Sequence, residues 1–300
     1  MQLRSFFRFA LPLALVVTMA APAAAQDEEE SEPDEAPYGL GPLEVAVAPT
    51  MGNLGAPRSA VPETRFGVLL HWLMASESTP AGDVSGHVLG LVLEGHIELF
   101  DVLEVGVDVE ALQYLKIDYP SGTLPDQDSS EFGFVTPRVK FAFLRGDMYT
   151  LSFGFGVALP TATGGRYENV TPLGFDPGLF FALRFLDMIS INVSAPFTIA
   201  VSIPDAGETV SDTFFMPTVG VTVMPIDFIG GVLDLQFNVW LDAPDGVDKF
   251  SAMNLLIGAR SNFLPWMMGE IGAIIPLAGD FADEYDFGLG IRFVATPDFL

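Results

Sequence analysis

Residues 103–110 are Leu103-Glu-Val-Gly-Val-Asp-Val-Glu110, and their alternation decides the fold. The odd-numbered positions are all aliphatic, whereas three of the four even-numbered positions carry carboxylates. Successive side chains of a β-strand point to opposite faces, so this strand has one apolar face and one acidic face. A strand of this kind suits a wall between lipid and water.

Twelve segments with this alternation follow one another, and none shows convincing helical periodicity. We predict strands at residues 65–74, 87–100, 103–116, 132–144, 148–160, 174–186, 188–203, 213–224, 228–241, 251–263, 265–278 and 284–295. Most exceed the usual five or six residues, which counts against the alternative of a soluble β-sandwich or lipocalin-like cup. The sequence predicts an all-β protein, a transmembrane antiparallel up-and-down β-barrel of about 12 strands, of the Gram-negative outer-membrane type.

The connections between the predicted strands alternate between short and long. The tight ones lie near Asp101, Gly146-Asp147, Asp187, Pro225-Ile-Asp227 and Leu264-Pro265. The others are longer and rich in Gly, Pro, Ser and Asp. Because outer-membrane barrels have short periplasmic turns and long external loops, we expect Asp101 and Asp187 to face the periplasm. Asp126 and Asp245 are then expected outside the cell.

Prolines and aromatic residues add detail to this picture. Pro137, Pro177 and Pro217 are expected near external strand ends, and Pro196 in the middle of a strand, at a bulge. Aromatic residues are expected in two interfacial girdles. The external girdle would contain Trp72, Tyr114, Phe134, Phe175, Trp240 and Tyr285, and the periplasmic one Phe100, Tyr149, Phe185, Phe228, Phe263 and Trp266.

The N-terminal region has the features of an export signal. Arg4 and Arg8 precede an apolar run too short to span a bilayer, and Ala23-Ala-Ala25 is a suitable cleavage site. We predict a signal peptide at 1–25, an acidic disordered leader at 26–38, a periplasmic or plug-like segment at 39–60 and the barrel at 61–300. The protein is then expected in the outer membrane of a Gram-negative bacterium.

Composition limits the possible partners. Half of the residues are hydrophobic, 26 are phenylalanine, and the net charge is −26. Such an excess of acid argues against nucleic acid, whose phosphates require Lys and Arg. The chain has no cysteine, so it has neither a disulfide nor a lipid-attachment cysteine. The expected partners are outer-membrane lipid and lipopolysaccharide, the barrel-assembly machinery and a small-molecule permeant.

Strand parity predicts which side chains face the lumen. The charged and titratable residues on this face are Glu94, His96, Glu98, Glu104, Asp108, Glu110, Arg138, Lys140, Arg184, Asp234, Arg260, Glu270 and Arg292. Acids of the second and third strands are expected near bases of the fourth. These charges form either compensating salt bridges that fill the bore or a charged eyelet that selects permeants.

The sequence offers little for catalysis or for a cofactor. It contains three histidines, of which His96, between Glu94 and Glu98, is the best candidate for a general base. No serine is placed beside it, so we predict no enzyme and no cofactor. The loops are acidic and could gather divalent cations. A solvated, repelling rim is the simpler interpretation, and no metal site is predicted.

Three segments resemble outer-membrane transporters named for the MetA pathway of phenol degradation. They are Gly95-His-Ile-Glu-Leu-Phe-Asp-Val-Leu-Glu-Val-Gly-Val-Asp108, Val139-Lys-Phe-Ala-Phe-Leu144 and Leu159-Pro-Thr-Ala-Thr-Gly164. The resemblance covers about 70 residues closely. It implies a barrel of about twelve strands that admits small apolar or aromatic compounds. The chain ends in Leu300 and not in Phe, which departs from the usual assembly signal.

Together these features predict an outer-membrane channel or transporter for passive uptake of small molecules. The alternative is a non-conducting structural or surface-interaction barrel with a salt-bridged, filled lumen. Small inward residues predict a lopsided passage: Gly154, Gly156, Ala158, Ser190, Ser194, Gly220, Gly258, Gly288 and Gly290. If the bore is open, acidic residues at its mouth and on the second and third strands should favour cations.

Overall fold

The fold is taken from a computed structural model. It describes residues 60–79, 82–119, 127–163, 170–185, 188–204, 209–226, 228–242, 250–278 and 286–297. The predicted signal peptide, the acidic leader and residues 39–59 lie outside these ranges, as do Asp126, Asp187 and Asp245. Within them, no helix has the length and apolar character needed to cross a membrane.

Fifteen β-segments build the structure. They are β1 (Arg65–Thr79), β2 (Gly82–Leu99), β3 (Leu103–Asp118), β4 (Gln127–Glu131), β5 (Val135–Arg145), β6 (Tyr149–Ala158), β7 (Val170–Phe175), β8 (Gly178–Phe185), β9 (Ile189–Pro204), β10 (Val210–Phe215), β11 (Thr218–Ile226), β12 (Ile229–Trp240), β13 (Phe250–Leu264), β14 (Met267–Ala278) and β15 (Phe287–Ala295). Each predicted strand overlaps one or two of these segments.

The segments form a closed ring. We call each strand position around the barrel a wall. Three walls consist of two segments in line, namely β4 with β5, β7 with β8, and β10 with β11. The fifteen segments therefore make twelve walls. Each wall pairs antiparallel with the next. The ring closes between β1 and β15, where the register runs from Phe66 opposite Ala295 to Met74 opposite Phe287. The predicted twelve-stranded antiparallel barrel is confirmed.

Two of the three breaks within walls occur at proline. Pro177 follows β7 and Pro217 follows β10, and each precedes the next segment of the same wall. The expectation that both prolines lie near external strand ends is wrong, because a six-residue segment continues beyond each break. Pro196 lies opposite Gly178 inside β9, where the paired wall is itself broken. Its carbonyl still accepts a bond of 3.0 Å from the backbone N–H of Met216.

The two ends of the barrel differ in their connections. We call the end with the tight connections, at residues 100–102, 146–148 and 265–266, the turn end, and the opposite end the loop end. β1 begins and β15 ends at the turn end. In the first tight connection Phe100 and Asp101 both have φ of 59°, the left-handed conformation of tight hairpin turns.

The first connection at the loop end is shorter than the sequence suggests. β1 and β2 stay paired from Arg65 opposite His96 to Thr79 opposite Gly82, so only two residues separate them. The expectation of a long loop after residue 74 is therefore wrong. The hydrogen-bonded ladder continues beyond the apolar stretch into polar residues, such as Ser76 opposite Ser85. The hairpin is therefore longer than its apolar part.

The outer face of the barrel is apolar. On β1 the exposed side chains are Phe66, Val68, Leu70 and Trp72, and the residues between them are buried. This period of two separates a lipid-facing surface from an inner surface. The inner surface carries the polar and charged side chains.

Aromatic side chains follow the predicted girdle at the turn end. Phe100, Phe228, Phe263 and Trp266 are all exposed there, with Phe100 88% accessible. At the loop end Trp240 is only partly exposed and stacks on the fully buried Phe214, with ring centroids 5.7 Å apart. Trp240 therefore packs on a buried ring, and its assignment to the external girdle is wrong.

An arginine scan along β1 tests the position of this face in the membrane. Leu70 lies in the middle of the apolar face, and Phe66 lies at its turn end. Leu70→Arg should lower the free energy of unfolding by roughly 2–4 kcal/mol and Phe66→Arg by about 0–1 kcal/mol, since the cost of a charge falls toward the interface. Urea unfolding in lipid vesicles measures both, with Leu70→Ala and Phe66→Ala as controls. Equal losses would contradict the assigned depth.

Candidate functional site

The chain approaches β1 from inside the barrel. Ala60 is fully buried and packs against Phe180, and its carbonyl accepts a 2.8 Å hydrogen bond from the Ser152 hydroxyl. The backbone N–H of Glu63 donates to Glu104 Oε2 at 3.1 Å. The residues just before β1 therefore occupy part of the lumen.

Glu104 is the centre of the charged lumen. Its carboxylate lies 2.8 Å from Lys140 Nζ, 3.3 Å from Arg65 Nη1 and 3.0 Å from His96 Nδ1. None of these four side chains is more than 7% exposed. A carboxylate that is so deeply buried is stable only when it is paired and hydrogen-bonded, and here the partners come from three other strands.

A second cluster continues toward β7 and β8. His96 Nε2 lies 2.8 Å from Asp108 Oδ1, and Asp108 also pairs with Arg138. Arg138 Nη2 lies 3.0 Å from Asp176 Oδ2, and Asp176 Oδ1 accepts a 2.9 Å hydrogen bond from the Thr198 hydroxyl. Asp176 occupies the break between β7 and β8. The break thus places a carboxylate where it neutralises Arg138.

A third cluster crosses the closure of the ring. Arg292 on β15 donates from Nη2 to Glu94 Oε2 on β2 at 2.8 Å and lies 3.8 Å from Glu270 on β14. Glu270 accepts from Arg260 Nε at 2.6 Å. Arg65 Nε lies 3.6 Å from the same oxygen of Glu94, which links this cluster to Glu104. The contacts therefore continue from β13 through β1 to β8.

We call these linked side chains the charge belt. It contains five acids and five bases, together with His96. They are Glu94, Glu104, Asp108, Asp176, Glu270, Arg65, Arg138, Lys140, Arg260 and Arg292. The formal charges of these ten side chains balance, as expected for charges kept in a poorly hydrated interior. The more exposed Glu63 also lies 3.5 Å from Arg65 and adds one negative charge at the edge of the belt.

Four predicted lumen residues lie outside the belt. Glu110 is hydrogen-bonded instead to Gln113 Nε2 at 2.9 Å and to the backbone N–H of Phe134, beside the break between β4 and β5. The backbone N–H of Glu98 donates to the Thr64 hydroxyl at 3.0 Å. Asp234 and Arg184 have no charged partner within hydrogen-bond distance among the described residues.

Two belt residues were missed by the sequence analysis. Arg65 stands at the first position of a predicted strand and shares the parity of Leu69, so counting inward from Leu69 would have identified it. Asp176 lies in the predicted strand 174–186 and shares the parity of Arg184, so the same count would have placed it in the lumen despite the neighbouring Pro177.

Some large inward side chains lie flat against the inner surface of the barrel because a glycine stands opposite each of them on the neighbouring strand. A Cβ at Gly90 would lie 2.1 Å from His71 Nε2, and one at Gly106 would lie 2.5 Å from His96 Nδ1. Both histidines are almost fully buried. Only glycine leaves room for the ring on the neighbouring strand.

The same arrangement corrects the predicted lopsided passage at three of its nine residues. A Cβ at Gly154 would lie 2.8 Å from the Phe180 ring, and one at Gly156 would lie 2.6 Å from Arg138 Nη1. Gly288 is similarly covered by Leu73, at 2.6 Å. The expectation of free space beside these glycines is wrong, because large side chains of neighbouring strands fill it.

The lumen is apolar nearer the loop end. Leu73, Val88 and Ile274 form a buried cluster, against which Leu115 and Leu256 pack. These residues come from five different strands and face inward. An apolar layer therefore lies on the loop side of the charge belt.

A cavity of about 250 Å³ lies at the turn end. Its charged lining residues are Glu63, Arg65, Arg184, Arg260 and Arg292. Neutral polar side chains and a few apolar ones complete it. The lumen is therefore hollow at least at this end.

The described residues show no constellation typical of catalysis or of metal binding. The ring of His96 contacts only carboxylates, and the ring nitrogens of His71 have no hydrogen-bond partner. No group of three or more His, Asp or Glu side chains is arranged to hold a metal ion within the described ranges. The charged side chains of the described lumen are arranged mainly in ion pairs.

Similarity to known proteins lies in the fold. No family model matches the sequence, and no curated protein matches it either. The COG4313 outer membrane channel from Pseudomonas putida F1 is similar in structure, with a TM-score of 0.56 and 12% identity, over 80% of this chain and 99% of that chain. This match confirms, for the fold, the expected resemblance to outer-membrane transporters.

Other outer-membrane barrels align as well. The translocator domain of the autotransporter NalP from Neisseria meningitidis gives a TM-score of 0.51 at 6% identity, over 84% of this chain and 94% of that one. A mutant of the monoaromatic hydrocarbon channel TodX gives a TM-score of 0.47 at 7% identity, over 87% of this chain and 95% of that chain. This TM-score is too low to inform function. The chain thus has the fold of outer-membrane β-barrels, which the COG4313 channel shares.

A double-mutant cycle tests the pairing at the centre of the belt. Glu104→Gln or Lys140→Met should each lower the free energy of unfolding, by up to roughly 3–5 kcal/mol, because each removes one charge of a buried ion pair and leaves the opposite charge less compensated. Their combined effect should be smaller than the sum. The exposed pair Lys116 and Asp118, also 2.8 Å apart, is the matched control and should couple by less than about 1 kcal/mol. Additive losses at Glu104 and Lys140 in urea unfolding would exclude the pairing.

A substitution at Gly90 tests the packing of His71. Gly90→Ala should lower the free energy of unfolding by about 1–3 kcal/mol, since the added methyl would collide with the buried ring. Adding His71→Ala should recover part of this loss. Gly95→Ala is the control, because the nearest atom to its Cβ is 3.8 Å away. An unchanged midpoint for Gly90→Ala would refute the close contact.

Proposed function

We propose that the protein is an outer-membrane channel for passive uptake of small molecules. The observation that carries the proposal is a closed barrel with an apolar outer face and a polar inner face that opens into a 250 Å³ cavity at the turn end. A barrel used only as a membrane anchor needs no such space. The turn end is the periplasmic end in this proposal, since short turns face the periplasm in outer-membrane barrels.

Barrel width is consistent with a narrow channel. Eight strands are filled by their own side chains, and sixteen leave a wide aqueous pore. With twelve walls, the inward side chains decide how much of the bore is open. The charge belt extends around nine of the twelve walls, from β13 through β1 to β8. The remaining walls carry smaller neutral groups such as Ser190, Asn192 and Thr222, which would line the passage.

The class of permeant rests on the resemblance to transporters of phenol degradation. That resemblance favours small apolar or aromatic compounds, and the apolar layer at Leu73, Val88 and Ile274 would suit them. A preference for cations remains the expectation for the acidic mouth at the loop end. No step of the proposed transport requires a catalytic group or a cofactor.

Delivery to the membrane belongs to the same proposal. Residues 1–25 would be removed as a signal peptide after export. The barrel would then be inserted by the assembly machinery into a membrane of lipid and lipopolysaccharide. Ala60, the last residue of the segment predicted to be periplasmic or plug-like, is buried in the lumen against Phe180.

A filled, non-conducting barrel is the second candidate. Much of the lumen is packed with side chains. Several inward polar residues are less than 5% exposed, among them His96, Glu104, Ser152, Asp234 and Asn254. A structural or surface-interaction barrel would use the belt to stiffen the wall. The two candidates differ in whether ions and solutes cross.

Truncation of Phe180 distinguishes them. Phe180 faces the lumen and is 5% exposed, whereas Phe181 follows it on the opposite face. If the bore conducts, Phe180→Ala should raise the single-channel conductance in planar bilayers by widening the lumen, and Phe181→Ala should leave it unchanged. Swelling of liposomes in uncharged phenolic solutes should accelerate in parallel.

The outcomes separate the candidates clearly. Absence of conductance and of swelling in wild type and in both variants would refute the channel and favour the filled barrel. Conductance that responds equally to Phe180→Ala and Phe181→Ala would mean that the lumen does not limit the passage. Folding of each variant is checked by the shift of the unheated band on a denaturing gel.

A further inference from the structure

The cavity at the turn end has an unusual balance of charge for so acidic a chain. We call it the arginine chamber; its charged lining residues are Arg65, Arg184, Arg260, Arg292 and Glu63. Four guanidinium groups therefore face one carboxylate, although the whole chain has a net charge of −26. The formal charge of the lining residues is therefore +3, four guanidinium groups less one carboxylate.

Three of the four arginines are held in place by the charge belt. Arg260 and Arg292 both contact Glu270, and Arg65 contacts Glu104 and Glu94. None of these acids lines the chamber. A guanidinium has five N–H donors, so donors remain for a ligand after each ion pair has formed.

Arg184 differs from the other three. It lies on β8 opposite Ser190 of β9, near the turn end, and is exposed to the chamber. Among the described residues it has no ion pair and no hydrogen bond to another side chain. A cation that lines a cavity and has no side-chain partner in the described part of the chain is available to an anion that enters.

The neutral lining residues add donors and an apolar wall. Ser190 and Thr222 supply hydroxyls, and Asn192 supplies a side-chain amide. Met268 and Val294 supply apolar surface, and Val294 is only 3% exposed. A ligand that matches this lining has a negatively charged group and an apolar body.

We propose that the arginine chamber is a binding site for a small organic monocarboxylate, whose carboxylate is bound by Arg184 together with free donors of Arg260 and Arg292. A planar guanidinium binds a carboxylate with two parallel hydrogen bonds, which gives the site its selectivity for that group. The volume of about 250 Å³ is below the roughly 300–1,000 Å³ of pockets for drug-sized ligands. The chamber therefore suits a single ring or a short chain.

Ligand binding in the arginine chamber does not require that the barrel conducts. Binding can be measured at equilibrium on the full chain in detergent, whether or not solute crosses the barrel. A failure of conductance would leave the site intact, and a failure of binding would leave the channel intact. The two proposals are therefore tested separately.

Isothermal titration calorimetry with benzoate is the direct test, with benzamide as the uncharged probe of the same shape. Wild type should bind benzoate at least about tenfold more tightly than benzamide, the factor expected from one charge-assisted hydrogen bond. The affinity for benzoate should fall as salt is added, because screening weakens the attraction. Inorganic phosphate, which has no apolar body, should bind more weakly than benzoate.

Two substitutions locate the site. Arg184→Gln should weaken benzoate binding by about tenfold or more and leave benzamide unaffected, since it removes the unpaired charge. Arg184→Lys should retain part of the affinity. Arg145→Gln is the matched control: Arg145 lies at the same end, donates to the carbonyl of Asp101 and does not line the chamber. It should bind benzoate as wild type does.

Several results would overturn the assignment. Equal affinity of wild type for benzoate and benzamide would show that the carboxylate is not recognised. Equal benzoate affinity of Arg184→Gln and Arg145→Gln would place binding elsewhere. Phosphate binding as tight as that of benzoate would exclude an organic carboxylate as the selected class. Because Arg184 has no protein partner in the described residues, its loss should leave the unfolding midpoint unchanged.

Discussion

The closure of the hydrogen-bonded ring between β1 and β15 is the constraint on which the rest of the structure depends. In lipid, an unpaired backbone N–H or C=O costs several kcal/mol, so an open sheet edge cannot be left in the membrane. Once the ring is closed, the two-residue period assigns each side chain to lipid or lumen. Leu69 and Leu70 are adjacent residues of the same type, yet Leu69 is 3% exposed and Leu70 is 40% exposed.

The charge belt follows from that closure. A barrel of twelve walls is too narrow to hydrate every inward charge fully and too wide for a single side chain to span. The acids and bases therefore meet along the inner surface. Some partners lie on neighbouring strands, as Glu104 and Lys140 do at 2.8 Å, and others lie two strands apart, as Arg65 and Glu104 do at 3.3 Å. Arg292 and Glu94 show the dependence on closure most directly, since they are 198 residues apart in the sequence and 2.8 Å apart in the barrel.

The belt also divides the lumen into two parts with different chemistry. Its ion pairs lie along the walls from β13 through β1 to β8, where they balance one another. The remaining walls present neutral groups such as Ser190 and Thr222 together with the buried Asp234, and the arginine chamber lies where the two parts meet at the turn end. Global charge is thus a poor guide to local potential in this protein, since a chain with 39 acidic and 13 basic residues encloses a cavity with a positive lining.

The sequence by itself determined the class of fold, because alternation is a local property: the pattern at 103–110 appears wherever a strand separates lipid from water. Parity likewise placed Glu104 and Lys140 on the same side of the wall. It did not reveal that Glu104 also contacts Arg65, that Glu110 serves the break before β5, or that Asp176 completes the belt. Those contacts depend on the register between strands and on the closure of the ring, which are properties of the whole chain. Only the tertiary structure decided which inward side chains meet, because alternation specifies the direction of a side chain and not its height in the barrel.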